Sequence, residues 1–168
     1  QLTYPIKRRK SRAVKIGDVL IGGGFPIAIQ SMTTTDTRDV DATVGQITQL
    51  FDAGCDIVRI SVLNHQAGDC LKAIKERVPN KPIVADIHFQ YKLALKAIEA
   101  GFDKIRINPG NIGAEWKVRE VTQAAKDKGV PIRIGVNSGS LPKDLLDQYG
   151  HDDPRAFVEA ALREAAIL

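Results

Sequence analysis

Ala53-Gly54-Cys55-Asp56-Ile57-Val58-Arg59-Ile60-Ser61 and Ala100-Gly101-Phe102-Asp103-Lys104-Ile105-Arg106-Ile107-Asn108 are two copies of one pattern. In each, a glycine closes a helix, an aspartate follows, and β-branched residues then alternate with other side chains as in a strand. A looser third copy runs Lys128-Gly129-Val130-Pro131-Ile132-Arg133-Ile134-Gly135. Helical stretches separate the copies, and strands joined across a dozen or more helical residues are parallel strands linked by crossovers. A recurring βα unit predicts an α/β fold of the TIM (β/α)8 barrel type. An open doubly wound sheet is the competing arrangement, but no Gly-x-Gly-x-x-Gly follows a strand here.

Working outward, strands are predicted at 26–32, 56–62, 82–87, 104–108 and 131–137. The first helix follows Asp39 or Asp41 and carries Val44, Ile47 and Phe51 up to Gly54. The second places Ala67, Cys70, Leu71, Ile74 and Val78 on one stripe. The third runs through Leu93, Ala97 and Ile98 to Gly101, and the fourth carries Trp116 and Val121 and stops at Gly129. Asp153-Pro154 opens a last helix through Phe157, Ala161 and Leu162, with aspartate as N-cap and proline in the first turn. Before the first strand, Val14 and Ile16 lead into Gly17-Asp18, and Val19 and Ile21 lead out to Gly22-Gly23-Gly24. That is a short β-hairpin. The organisation is therefore 1–25 as tail and hairpin, and 26–168 as the first part of a barrel, about five βα units. Five strands do not close an eight-stranded barrel and Gln1 is not methionine, so the native protein is expected to be longer.

Composition narrows the function classes. The 168 residues are 43% hydrophobic and 26% charged, as in ordinary water-soluble domains. No stretch is apolar for the roughly 18 residues that a membrane helix needs, and no apolar segment follows the basic N-terminus as in a signal peptide. The charge of +4 resides partly in Lys7, Arg8, Arg9, Lys10 and Arg12, a solvated tail in its simplest reading. With few aromatic residues to stack bases, nucleic acid is not an expected partner. Cys55 and Cys70 are too far apart for a Cys-x-x-Cys pair and too few for a four-thiolate cluster. Both read as packing residues, no metal ligands are expected in this chain, and a reducing cytoplasm is the expected setting.

Strand side chains alternate between faces. Placing Arg59 and Ser61 inside the barrel sends Val58 and Ile60 to the helices. The same choice puts Asp86 and His88, Arg106 and Asn108, and Arg133, Gly135 and Asn137 inside, while Gln30 and Met32 share a face of the first strand. The polar residues thus meet near the C-terminal strand ends, where barrel active sites form. Three arginines in one small space repel one another, and burying an unpaired charge costs several kcal/mol. Asp86 compensates for one. The remainder call for a multiply charged anion such as a diphosphate, gripped by bidentate contacts. Internal pairing with carboxylates on other strands is the competing explanation. Asn108, Asn137 and His88 add hydrogen-bonding capacity, and His88 beside Asp86 is a candidate proton donor. Pro109-Gly110-Asn111 offers backbone N–H groups to the same anion. Met32 and Trp116 read as packing residues.

These residues also carry a resemblance. Ile29-Gln30-Ser31-Met32-Thr33, Asp56–Ser61, Val84-Ala85-Asp86-Ile87-His88-Phe89, Arg106-Ile107-Asn108-Pro109-Gly110-Asn111-Ile112-Gly113 and Ile132-Arg133-Ile134-Gly135-Val136-Asn137 resemble the N-terminal domain of bacterial 4-hydroxy-3-methylbut-2-enyl diphosphate synthases. Arg8-Arg9-Lys10-Ser11 and Gly139-Ser140-Leu141 fit as well. The resemblance implies an oxidoreductase of the non-mevalonate isoprenoid route. It would open 2-C-methyl-D-erythritol 2,4-cyclodiphosphate with loss of water, using electrons from flavodoxin or ferredoxin through a [4Fe–4S] cluster. It implies a TIM barrel that binds the cyclodiphosphate, a separate cluster domain whose ligands are not in this chain, and a homodimer. By motif match, Gln30, Arg59, Asp86, His88, Arg106, Asn108, Arg133 and Asn137 fall at substrate-binding positions. The catalytic groups are expected mainly elsewhere, so this chain alone is expected to hold no cluster and to be inactive. A dihydropteroate-synthase-like barrel with another phosphorylated substrate, and an anion- or RNA-binding fragment, are the other readings.

Overall fold

A computed structural model describes residues 9–168. Lys7 and Arg8 of the basic run lie outside the described residues, and Arg9, Lys10 and Arg12 are exposed. An antiparallel hairpin, β1 (Val14–Ile16) and β2 (Val19–Ile21), comes first. Five parallel strands follow in chain order: β3 (Gln30–Met32), β4 (Ile57–Val62), β5 (Ile83–Ile87), β6 (Lys104–Ile107) and β7 (Ile132–Ile134). A doubly wound sheet reverses its order at a switch point; this one does not. Helices α1 (Val40–Asp52), α2 (His65–Arg77), α3 (Tyr91–Glu99) and α5 (Glu115–Lys128) form the crossovers, with α4 (Pro109–Ile112) a single turn after β6. After β7 come a 3-10 turn at Ser138–Ser140, then α6 (Lys143–Tyr149) and α7 (Pro154–Ala165).

The helix boundaries follow from local chemistry. Asp39 and Asn64 cap α1 and α2 by accepting the N–H of Ala42 and of Ala67, each at 2.9 Å. Gly129 closes α5 in the left-handed region at φ 67°, which only glycine adopts at no cost. One strand face is apolar and buries Val58, Ile60, Ile83, Ala85, Ile105 and Ile107 against the four long crossover helices. Below the other face, Ile16 of the hairpin packs on Ile57 and Val84, closing the N-terminal end of the wall. A sheet clothed by helices on one side only, with a plug at its foot, is barrel wall.

The repeated aspartate has a structural explanation. Asp56 accepts the N–H of Ile29 at 2.7 Å, and Asp103 accepts that of Ile83 at 2.9 Å. In return the Asp56 and Asp103 N–H groups donate to the carbonyls of Ile29 and Ile83. Each copy clamps the strand before it. Lys75 donates to Asp103 at 2.6 Å and completes that clamp.

Several elements depart from expectation. β3 is shorter than predicted and forms a sheet edge, so Ile27 and Ile29 are exposed rather than covered by helices. In α7 the buried residues are Ala156 and Ala160, and Leu162 is exposed. Trp116 is 57% exposed, meeting Tyr91 edge-on with 5.5 Å between ring centroids. Cys55 and Cys70 are half-buried and border the core.

Gly45 is an exposed interior residue of α1, and an added Cβ meets nothing within 4 Å. Gly45→Ala is therefore expected to stabilise the fold by about 0.5–1 kcal/mol, through lower unfolded-chain entropy. A urea unfolding midpoint no higher than that of the parent would contradict this.

Candidate anion-binding site

The register lines up the polar face. Ser61, Asp86, Arg106 and Arg133 are lateral neighbours across β4, β5, β6 and β7. Met32, Arg59, Val84 and Lys104 form the neighbouring row. Asp86 is only 4% exposed and is the hub. Its Oδ1 accepts Arg106 Nη1 at 3.1 Å, and its Oδ2 lies 3.7 Å from both Arg59 Nε and His88 Nε2. His88 Nε2 is also 3.4 Å from Ser61 Oγ. Arg59 Nη2 reaches Met32 Sδ at 3.2 Å, so Met32 borders the site instead of only packing. Arg59 Nε is buried without a hydrogen-bond acceptor. Buried polar atoms are seldom left so.

Charge on this wall does not balance. Among the described residues, Asp86 is the only carboxylate in ion-pair contact with Arg59 or Arg106, and Arg133 has none. Lys104, 8% exposed and one row below, adds a further cation. Burial, then repulsion from Arg133 and Arg59, pushes the Lys104 ammonium below its usual pKa. The wall therefore holds more positive than negative charge in a partly desolvated space, and an anion with several oxygens would relieve it.

The remaining predicted residues divide. Asn108, at the end of β6, is buried, and its Nδ2 donates to Ser140 Oγ at 2.7 Å. The same hydroxyl accepts the Asn137 N–H at 3.3 Å and donates to the Asn137 carbonyl at 3.1 Å. Asn108 thus ties the loop after β7 to β6, and Asn137 is exposed at the start of that loop. Gln30 is not brought to the cluster. It pairs with Ile57, a level below Arg59, and shares a cavity at the foot of the wall with Lys104 and Ser11. Pro109-Gly110-Asn111 forms the helical turn α4, not an open loop. Sequence reasoning assigns no role to Ser140, which it places only within the resemblance, or to Gly135, which lies against Arg106. Parity had placed Gly135 on the inner face, which is the signal available for it.

Comparison with known proteins agrees with the fold and extends it. The family described as "GcpE TIM-barrel domain" matches residues 11–168. Proteins named 4-hydroxy-3-methylbut-2-en-1-yl diphosphate synthase (flavodoxin) match closely. The one from Symbiobacterium thermophilum is 58% identical over 163 residues, 97% of this chain and 44% of its own length. That from Thermodesulfovibrio yellowstonii is 59% identical over 163 residues, 97% of this chain and 46% of its own. That from Pseudomonas putida is 60% identical over 164 residues, 98% and 44%. The chain thus spans less than half the length of these relatives. Among solved structures, a dihydropteroate synthase from Xanthomonas albilineans aligns with a TM-score of 0.59 at 14% identity, covering 92% of this chain and 60% of that one. At that identity the likeness concerns the fold alone. With the family match covering the hairpin, all five parallel strands and every inner-face residue of the cluster, the chain belongs to the GcpE family through its TIM-barrel domain.

Proposed function

We propose that the protein carrying this chain is the reductase that converts 2-C-methyl-D-erythritol 2,4-cyclodiphosphate to 4-hydroxy-3-methylbut-2-enyl diphosphate, and that this wall binds the diphosphate. The observation that carries the reading is the sharing of one carboxylate, Asp86, by Arg59 and Arg106, with Arg133 alongside and unpaired among the described residues. The identity to named relatives supports it. Arg106 and Arg133 lie side by side and suit two oxygens of one diphosphate. Arg59 contributes charge from the row below. Asp86 holds two of the guanidinium groups in place. His88, between Ser61 and Asp86, is placed to hold a proton for an oxygen of the substrate. Asn137 stands exposed at the rim to accept or donate a hydrogen bond.

The [4Fe–4S] cluster rests on the family resemblance alone. The described residues contain no group of three or more His, Cys, Asp or Glu able to hold a metal, so no step is derived through it. We further propose flavodoxin as electron donor, the donor in the relatives' names, together with a homodimeric cytoplasmic enzyme. No described helix is long and apolar enough to cross a membrane. The full-length protein, purified without oxygen, is expected to be brown, to bleach on reduction and to consume the cyclodiphosphate with dithionite. A colourless protein that leaves the cyclodiphosphate intact would overturn the proposal.

A further inference from the structure

Gly135 has no conformational reason to be glycine. Its φ lies outside the left-handed region occupied by nine other glycines of the chain. Its surroundings supply the reason. A Cβ built there would lie 2.3 Å from Arg106 Nε, 2.4 Å from Arg106 Nη2 and 2.7 Å from Arg106 Cζ. The guanidinium of Arg106 therefore occupies the space a side chain at 135 would take. The backbone cannot easily withdraw, because the Gly135 N–H donates to the Ile107 carbonyl at 2.9 Å and fixes the end of β7 to β6. Arg106 is held at its other end, where Nη1 donates to Asp86. Between these fixed points the Nε–Nη2 edge points at the bare backbone of Gly135, and among the described residues neither nitrogen has a hydrogen-bond acceptor. With that edge against β7 and Nη1 on Asp86, the guanidinium is held in one seat beside Arg133, where its charge adds to the proposed anion site.

We propose that Gly135 is a positioning residue: it seats the Arg106 guanidinium on β7 and so fixes where its charge stands beside Asp86 and Arg133, without touching the ligand itself. The inference rests on the diphosphate reading of this site. It explains why the inner position beside Arg106's lateral partner Arg133 carries no side chain. It also separates affinity from stability. The clashing atoms are the far end of a flexible side chain, so an alanine at 135 swings Arg106 aside at little cost to the fold. The guanidinium then leaves its seat beside Arg133 and its contact with the phosphate is lost.

The test is a double-mutant cycle in the full-length protein, with inorganic pyrophosphate titrated calorimetrically and the cyclodiphosphate used for KM. Gly135→Ala is expected to weaken pyrophosphate binding about tenfold or more, the loss of one charged hydrogen bond or two, and to raise KM more than it lowers kcat. Combined with Arg106→Ala, it should add nothing to the loss caused by Arg106→Ala alone. If Gly135→Ala proves unstable, Arg106→Ala in the same chain should restore stability, because it empties the contested space. Parent-like binding by Gly135→Ala, or losses that simply add, would overturn the inference while leaving the diphosphate reading intact. Parent-like binding by Arg106→Ala alone would overturn that reading and the inference with it.

Discussion

Asp86→Asn is expected to lower the unfolding free energy by about 3 kcal/mol, the low end for removing one partner of a buried ion pair. The low end applies because the arginines keep some contact with water: the side chains are 6% exposed for Asp86, 15% for Arg106 and 26% for Arg59. The asparagine keeps the shape and removes the charge, so Arg59 and Arg106 are left to repel each other across β5. Urea unfolding measures the loss. Pyrophosphate should then offset part of it, since any ligand bound only to the folded state stabilises by RT ln(1 + [L]/Kd), about 2.7 kcal/mol at a hundredfold excess over Kd. A variant as stable as the parent would show that the arginines need no counter-charge, which would remove the electrostatic argument for an anion.

Arg106→Ala is the second large effect. A hydrogen bond to a charged group is worth about 1.5–3 kcal/mol, so pyrophosphate affinity should fall by roughly 10- to 150-fold. Arg106 is the arginine for which this is best argued. It is the more enclosed of the pair bound to Asp86, and its position is set from two sides, by Asp86 and by Gly135. Arg133 is exposed, so its contact is more screened and its loss should weaken binding less. Calorimetry at one fixed ionic strength distinguishes the two. Equal, small losses at both positions would mean diffuse attraction in place of a built site.

Much of this geometry was legible because the strand period is two. Val58, Ile60, Ile105 and Ile107 had to share a face, and Arg59 and Arg106 had to share the other. Parity gives the face and not the height. Neighbouring strands are staggered, so Gln30 has the inward direction expected of it and yet sits opposite Ile57, below the arginines. Short elements were the other weakness. α6 buries a single residue, Leu145, and four residues of α4 leave no periodicity to detect. Asn108 was legible as an inner polar group, but its bond to Ser140 joins positions 32 residues apart, which no local pattern reveals. Gly135 is the least legible of the inner-face residues. A glycine has no side chain to read, and its meaning lies in the arginine that fills its place.

The reciprocal pairing of Asp56 with Ile29, and of Asp103 with Ile83, bears on how the wall is assembled during synthesis. Every parallel strand pairs only with its neighbours in chain order, so each pairing closes a single helical crossover, and because parallel pairing is intrinsically slow a local fastener matters. A nascent chain emerges from its N-terminus, and β4 and β6, the strands that carry Arg59 and Arg106, each arrive with a fastener for the strand already in place. The strands carrying Arg59 and Arg106 are therefore tied to their predecessors as they arrive, ahead of the rest of the wall.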